Sequence, residues 1–216
     1  MKPNSVIIPG DLATTREAFV SRLDFARQNA RSIHIDIADG QFVDSTTLPI
    51  KDWPALDIDY AEAHLMVKDP IPYLTELKQA GITRAIVHIE SFFNPDDLIA
   101  QAKEIDILLG FAVNPDTDLE HLKSFFDLGN YIQVMGIEPG KTGQPMLPQT
   151  PLAVSYLRRI PSRRLVISVD GGVHPDTLPG LRQAGANFFV ASSSIYDSGD
   201  WVKNYKHMLE LVKDDE

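Results

Sequence analysis

The chain has 216 residues, 44% of them hydrophobic and 23% charged, a balance that suits one compact domain with its own core and excludes disordered, collagen-like and coiled-coil chains. Acidic residues number 30 against 20 basic ones, a formal charge of −10, which disfavours nucleic-acid binding because that affinity rests on cationic contacts to phosphates. With no cysteine, disulfides, thiolate metal sites and a cysteine nucleophile are excluded, and with no apolar signal core after Met1 nor any apolar run near the roughly 18 residues of a membrane span, a cytoplasmic protein without a membrane partner is expected.

Short β-branched or apolar runs recur along the chain at Ser5 to Pro9, Ser32 to Ile37, Tyr60 to Val67, Arg84 to Ile89, Asp106 to Val113, Tyr131 to Ile137, Leu165 to Val169 and Phe188 to Ala191. They read as eight strands. Helical patterns with cap residues or an early proline lie between most of them. Thr14-Thr15 precedes Arg16 to Ala30, Asp69-Pro70 precedes Ile71 to Ala80, Asn94-Pro95 precedes Asp96 to Lys103, and Asp116-Thr117 precedes Asp118 to Phe126. Further starts fall at Thr150-Pro151, His174-Pro175 and Asp200-Trp201. Gln79-Ala80-Gly81 and Gln183-Ala184-Gly185 each end a helix ahead of a strand, with glycine placed to take the left-handed closing conformation. The second unit is weakest, since Gly40 to Asp59 shows no helical stripe and reads as a loop with a short helix. Strict alternation of eight strands and helices predicts a closed parallel (β/α)8 TIM barrel, as a single domain over residues 1–216.

Catalytic groups of such barrels sit at the C-terminal ends of strands and in the loops that follow. In Ser32 to Ile37, His34 and Asp36 share one face while the isoleucines take the other; the third strand carries His64 ahead of Leu65-Met66, and the seventh runs into Asp170-Gly171-Gly172. Two imidazoles and two carboxylates thus converge on one mouth, an arrangement that costs several kcal/mol per unpaired buried charge unless a cation compensates. The donor set His34, Asp36, His64 and Asp170 suits one zinc, iron(II), manganese or cobalt ion per chain better than magnesium. The alternative for either histidine alone is a core residue bonded to backbone or to Asp36; four groups on one face favour the ion. Glycine and serine loops after the last three strands, Gly140-Lys141-Thr142-Gly143, Gly171-Gly172 and Ser192-Ser193-Ser194, suit a phosphate. Gly140-Lys141-Thr142 is no P-loop, because the first glycine of that motif would fall at Met135.

These residues resemble those of a known family, the ribulose-phosphate 3-epimerases. The resemblance lies in His34-Ile35-Asp36-Ile37-Ala38-Asp39-Gly40 with Phe42-Val43, Ala63-His64-Leu65-Met66-Val67, Val87-His88-Ile89-Glu90, Asn114-Pro115-Asp116-Thr117, Val134-Met135, Pro139-Gly140 with Gly143-Gln144, and Val169-Asp170-Gly171-Gly172, in the family's order and spacing over more than 150 residues. It implies a TIM barrel of the ribulose-phosphate-binding type, a metal on His34, Asp36, His64 and Asp170, and Asp36 and Asp170 as the acid/base pair. Met66 and Met135 would line the site, and Gly140, Lys141, Thr142, Gly143, Gly171, Gly172, Ser192 and Ser193 would hold the substrate phosphate. The expected activity is 3-epimerisation of ribulose 5-phosphate, with a small phosphorylated sugar and further copies of the chain, as a homo-oligomer, for partners. The chain departs from the family pattern at Gly10 in place of a substrate-contacting serine, at Ala38 in place of a methionine, at Gln41, Lys141 and Thr142, and at Ser192. Those changes leave open an epimerase of another ketose phosphate, such as allulose 6-phosphate; a barrel that binds without turnover, the further alternative, is expected to lose at least one metal ligand, and none is lost. A decarboxylase or aldolase relative is disfavoured, since the lysine of its D-x-K-x-x-D strand has no counterpart between His34 and Asp39. His88 reads equally as a packed residue or as a partner of the site; Phe92-Phe93 and Phe125-Phe126 read as core, and Lys213 to Glu216 as a solvated end.

Overall fold

The computed structural model describes residues 5–91, 93–126, 128–141, 143–161 and 165–213. Eight parallel strands close into a barrel in sequence order: β1 (Val6–Asp11), β2 (Ser32–Ala38), β3 (Tyr60–Met66), β4 (Arg84–His88), β5 (Leu108–Val113), β6 (Tyr131–Met135), β7 (Val166–Asp170) and β8 (Phe188–Ala191). Closure is made by β1 pairing with β8, with Val6 opposite Phe188 and Pro9 opposite Ala191. The helices are α1 (Arg16–Asn29), α2 (Tyr73–Gln79), α3 (Pro95–Glu104), α4 (Thr150–Arg158), α5 (Leu178–Ala184), α6 (Ser193–Tyr196) and α7 (Trp201–Val212). None among the described residues is long and apolar enough to cross a membrane.

Three of the expected caps start their helices. Thr15 Oγ1 accepts from the Ala18 N–H, Asn94 Oδ1 from Asp96 and Asp200 Oδ1 from Val202 and Lys203. Gly81 and Gly185 adopt φ of +92° and +112°, the left-handed geometry expected of them. In the second unit the helical element is one 3₁₀ turn, Ile50–Asp52. The fifth unit differs from expectation: Leu119–Phe125 is 3₁₀ rather than α-helical, and its three-residue turn brings Leu119, Leu122 and Phe125 onto one core-facing side. Two helices start late. Ile71 and Pro72 form a turn in which the Tyr73 N–H bonds the Pro70 carbonyl at 3.1 Å, and α2 begins at Tyr73; Thr177 Oγ1 accepts from the His174 N–H in a turn that delays α5 to Leu178.

Period-two alternation separates two kinds of packing. Ile33, Ile35 and Ile37 of β2, Ala61, Ala63 and Leu65 of β3, and their counterparts around the barrel pack against the helices in one large buried cluster. The alternate residues fill the interior. At its lower end Ile86, Ala112 and Tyr131, with Val166 and Phe188, form a small apolar plug, and above it the lining turns polar. Phe93, Phe125 and Phe126 pack against the large cluster as expected, with Phe125 lying 4.9 Å from the Phe111 ring; Phe92, Thr142 and Asp214 to Glu216 fall outside the described residues.

Candidate active site

Parallel register places Asp36 beside His64 and Met135 beside Asp170 at the upper ends of β2, β3, β6 and β7. One ligand atom from each of His34, Asp36, His64 and Asp170 falls within 4.8 Å of all the others. His64 Nδ1 lies 2.8 Å from Asp36 Oδ1 and 3.3 Å from Asp170 Oδ2, while His34 Nε2 is 3.5 Å and 3.6 Å from the same two oxygens. Both imidazoles are fully buried, and His34 Nε2 has no hydrogen-bond partner.

That orphaned nitrogen tests whether a cation fits. A buried lone pair facing two carboxylates is costly if left alone and becomes a ligand if a divalent ion sits between them, and two imidazoles with two carboxylates are a transition-metal donor set. Electrostatics agree with this. Burial alone would lower the His34 pKa, but the nearby carboxylates of Asp170, Asp36 and Glu62 outweigh it and hold the group well above its ordinary value; His64 is raised in the same way by Asp170 and Asp36. Asp170, which burial would raise, is held well below the usual carboxylate range by His34 and His64. The site therefore concentrates negative charge that only a cation or protonated imidazoles can balance.

Each imidazole is also held from behind. His34 Nδ1 lies 2.8 Å from Glu62 Oε1; the Glu62 carboxylate accepts from Tyr131 at 3.0 Å and Tyr60 at 2.6 Å, and Arg84 lies 3.8 Å away while packing over the Tyr131 ring at 4.3 Å. Burial would raise Glu62, but His34 heads the partners that keep it below its ordinary pKa. His64 Nε2 lies 2.8 Å from His88 Nε2, and His88 Nδ1 lies 3.2 Å from Glu90 Oε2. Burial pushes the His88 pKa down to about 4, so this ring is neutral. Asp170 Oδ2 also accepts from Gln133 Nε2 at 3.1 Å. Sequence reasoning passed over Glu62, Tyr131, Arg84 and Gln133. The signal was there: Tyr60, Glu62, His64 and Met66 share one face of β3 at period two, as Tyr131, Gln133 and Met135 do on β6.

The pocket above the four residues is lined by Asp36, Asp170, Met66 and Met135 at its floor. Its walls include Gly140, Lys141 and Gly143 after β6, Gly171 and Gly172 after β7, and Ser192 and Ser193 after β8. Gly171 and Gly172 have φ of +94° and +68°, and a Cβ on Gly172 would come within 2.8 Å of Met146, so the close turn there demands glycine. Of the expected substrate residues only Thr142 lies outside the described chain. Gly10 does not line the pocket; a side chain there would meet Val190 Cγ1 at 2.8 Å, so Val190, itself a lining residue, fills the place of a serine.

A family model described as ribulose-phosphate 3 epimerase matches residues 5–196. The chain is 31% identical over 185 residues to a ribulose-phosphate 3-epimerase of Chlamydia pneumoniae, covering 82% of this chain and 81% of that one. It is 35% identical over 182 residues to the cytoplasmic isoform of ribulose-phosphate 3-epimerase of Oryza sativa subsp. japonica, with 81% and 79% covered. Among solved structures, a 3-hexulose-6-phosphate synthase matches with a TM-score of 0.71 at 17% identity over 97% of this chain and 100% of that one, a likeness of fold.

Proposed function

Because the chain belongs to the ribulose-phosphate 3-epimerase family, a family of carbohydrate isomerases, we propose that it interconverts D-ribulose 5-phosphate and D-xylulose 5-phosphate. Inverting the carbon beside the ketone requires a proton to leave one face and another to arrive at the opposite face, so two acid/base groups must flank that carbon. The observation that carries the reading is the approach of Asp36 and Asp170 to one point from strands separated by β1 and β8. Asp36 serves one face and Asp170 the other, each removing the proton in one direction of the reaction and returning it in the reverse.

His34, Asp36, His64 and Asp170 would hold one divalent transition ion: zinc, iron(II), manganese or cobalt. When bound, such an ion supplies Lewis acidity that offsets negative charge developing on the substrate oxygens. Met66 and Met135 give the floor an apolar surface that keeps water from the reacting carbon. The substrate phosphate is held by backbone N–H groups of Gly140, Gly143, Gly171 and Gly172 and by the hydroxyls of Ser192 and Ser193, with the Lys141 ammonium at the rim and Thr142 between them in sequence. A few such donors suffice despite a net charge of −10, because they act at hydrogen-bond range.

A second reading, epimerisation of another ketose phosphate such as allulose 6-phosphate, is favoured by Gly10, where Val190 replaces a hydroxyl with an apolar wall. Metal-replete enzyme assayed on both substrates separates the two. Turnover of ribulose 5-phosphate to xylulose 5-phosphate with the higher kcat/KM is expected; a preference for allulose 6-phosphate moves the assignment to the second reading, and binding of both compounds without turnover leaves a non-catalytic barrel.

A further inference from the structure

We infer that His88 and Glu90 are positioning residues that hold His64 in the one tautomer able to ligate through Nδ1. The inference rests on the reading of His34, Asp36, His64 and Asp170 as a metal site and assigns a role to two residues outside it. The polarity of the chain starts at a backbone donor. Glu90 Oε1 accepts from the Asn114 N–H at 2.9 Å and from the Thr117 hydroxyl, which turns Oε2 toward His88 Nδ1 at 3.2 Å. A carboxylate only accepts, so the His88 proton sits on Nδ1 and its Nε2 presents a lone pair. That lone pair faces His64 Nε2 at 2.8 Å, so His64 must donate there. With its Nε2 proton thereby fixed, the nitrogen left to ligate an ion is Nδ1, which faces the Asp36 and Asp170 oxygens. Glu62 does the same for His34 from the other side and with the opposite nitrogen, bonding Nδ1 and leaving Nε2 toward the site. The two imidazoles thus present different nitrogens because their backing groups lie on different strands, β3 for His34 and the β4 end for His64.

Glu90→Gln tests the inference because it keeps shape while reversing polarity. The new amide oxygen still accepts from Asn114 and Thr117, but its NH₂ then faces His88 Nδ1, driving that proton to Nε2 and the His64 proton to Nδ1, where it blocks ligation. Flipping the amide instead sets its NH₂ against the Asn114 N–H. Cobalt(II) affinity, measured by competition with a chromophoric chelator, is expected to fall about 10- to 100-fold in Glu90→Gln relative to the unaltered chain, with the thermal midpoint of the metal-free proteins compared as a folding control. In the zinc-loaded unaltered chain, long-range ¹⁵N–¹H correlation is expected to show His88 protonated on Nδ1 and His64 on Nε2. Affinity within threefold of the unaltered chain, or a His88 proton on Nε2, overturns the inference. If Glu90→Gln does not fold, the tautomers of the unaltered chain decide it. Absence of cobalt binding in the unaltered chain overturns the metal reading itself and this inference with it, an outcome separate from both.

Discussion

Asp36 and Asp170 reach the same two imidazoles but are not equivalent, because only Asp170 also accepts from Gln133, at 3.1 Å. If each serves one face of the substrate, replacing either by asparagine removes one proton carrier and leaves the other able to exchange. Asp36→Asn and Asp170→Asn are each expected to lower epimerisation by about 10²- to 10⁴-fold. In deuterium oxide each should wash label into a different epimer, since the surviving carboxylate removes and returns hydrogen on its own side. Mass spectrometry of recovered substrate, with metal content measured alongside, checks this; two variants that label the same epimer exclude the one-aspartate-per-face assignment. The four clustered residues were legible because His34 and Asp36 alternate with isoleucines and so share one face of their strand, because His64 stands in an apolar run ahead of Leu65-Met66, and because Asp170 precedes a glycine pair. Glu62 was not legible in the same way. Its meaning lies in the register that sets it beside His34, and pairing between strands 28 residues apart is a tertiary fact.

At the scale of elements, an ion pair with a buried carboxylate and a partly exposed guanidinium joins the top of β1 to α1 and α6. Asp11 Oδ1 meets Arg22 Nη1 at 2.8 Å, and the guanidinium lies 5.0 Å from the centre of the Tyr196 ring on α6, the short helix whose first residue, Ser193, lines the pocket. Asp11 Oδ2 is buried with no partner. Burial pushes the Asp11 pKa up to about 6 from 3.8 despite Arg22, so between those values the folded chain holds a proton that the unfolded chain has released, and stability falls as pH rises through that window. Asparagine at this position does not titrate. Asp11→Asn is therefore expected to gain on the unaltered chain by about 2 kcal/mol between pH 4 and pH 7, read from urea unfolding at each pH; stability curves that stay parallel across that range contradict the account. Element starts were readable where a single side chain caps a helix, as Thr15, Asn94 and Asp200 do. They were misread at α2 and α5, where a proline or a threonine turn delays the helix, and at Leu119–Phe125, where three-residue spacing of apolar contacts selects the tighter helix.

For the whole molecule the barrel interior sets the terms of stability. Most of its apolar surface is buried outside the strands, against the helices, whereas inside it a small plug carries a polar layer of His34, Glu62, His64, His88 and Gln133, all fully buried. Such a layer is stable only when its charges are balanced, and an ion bound by the folded barrel alone adds RT ln(1 + [L]/Kd) to the unfolding free energy. With free zinc at 100 times its dissociation constant the gain is about 2.7 kcal/mol. For a chain of this size that corresponds to a rise in Tm of roughly 5–11 °C, at about 2–4 °C per kcal/mol. Differential scanning calorimetry with and without a chelator reads the shift, and elemental analysis should find close to one metal ion per chain. His64→Ala removes one ligand from the centre of the cluster and should lose most of both signals. A chelator-insensitive Tm contradicts a stabilising metal site, and a shift of equal size in His64→Ala places the metal elsewhere than between His34, Asp36, His64 and Asp170.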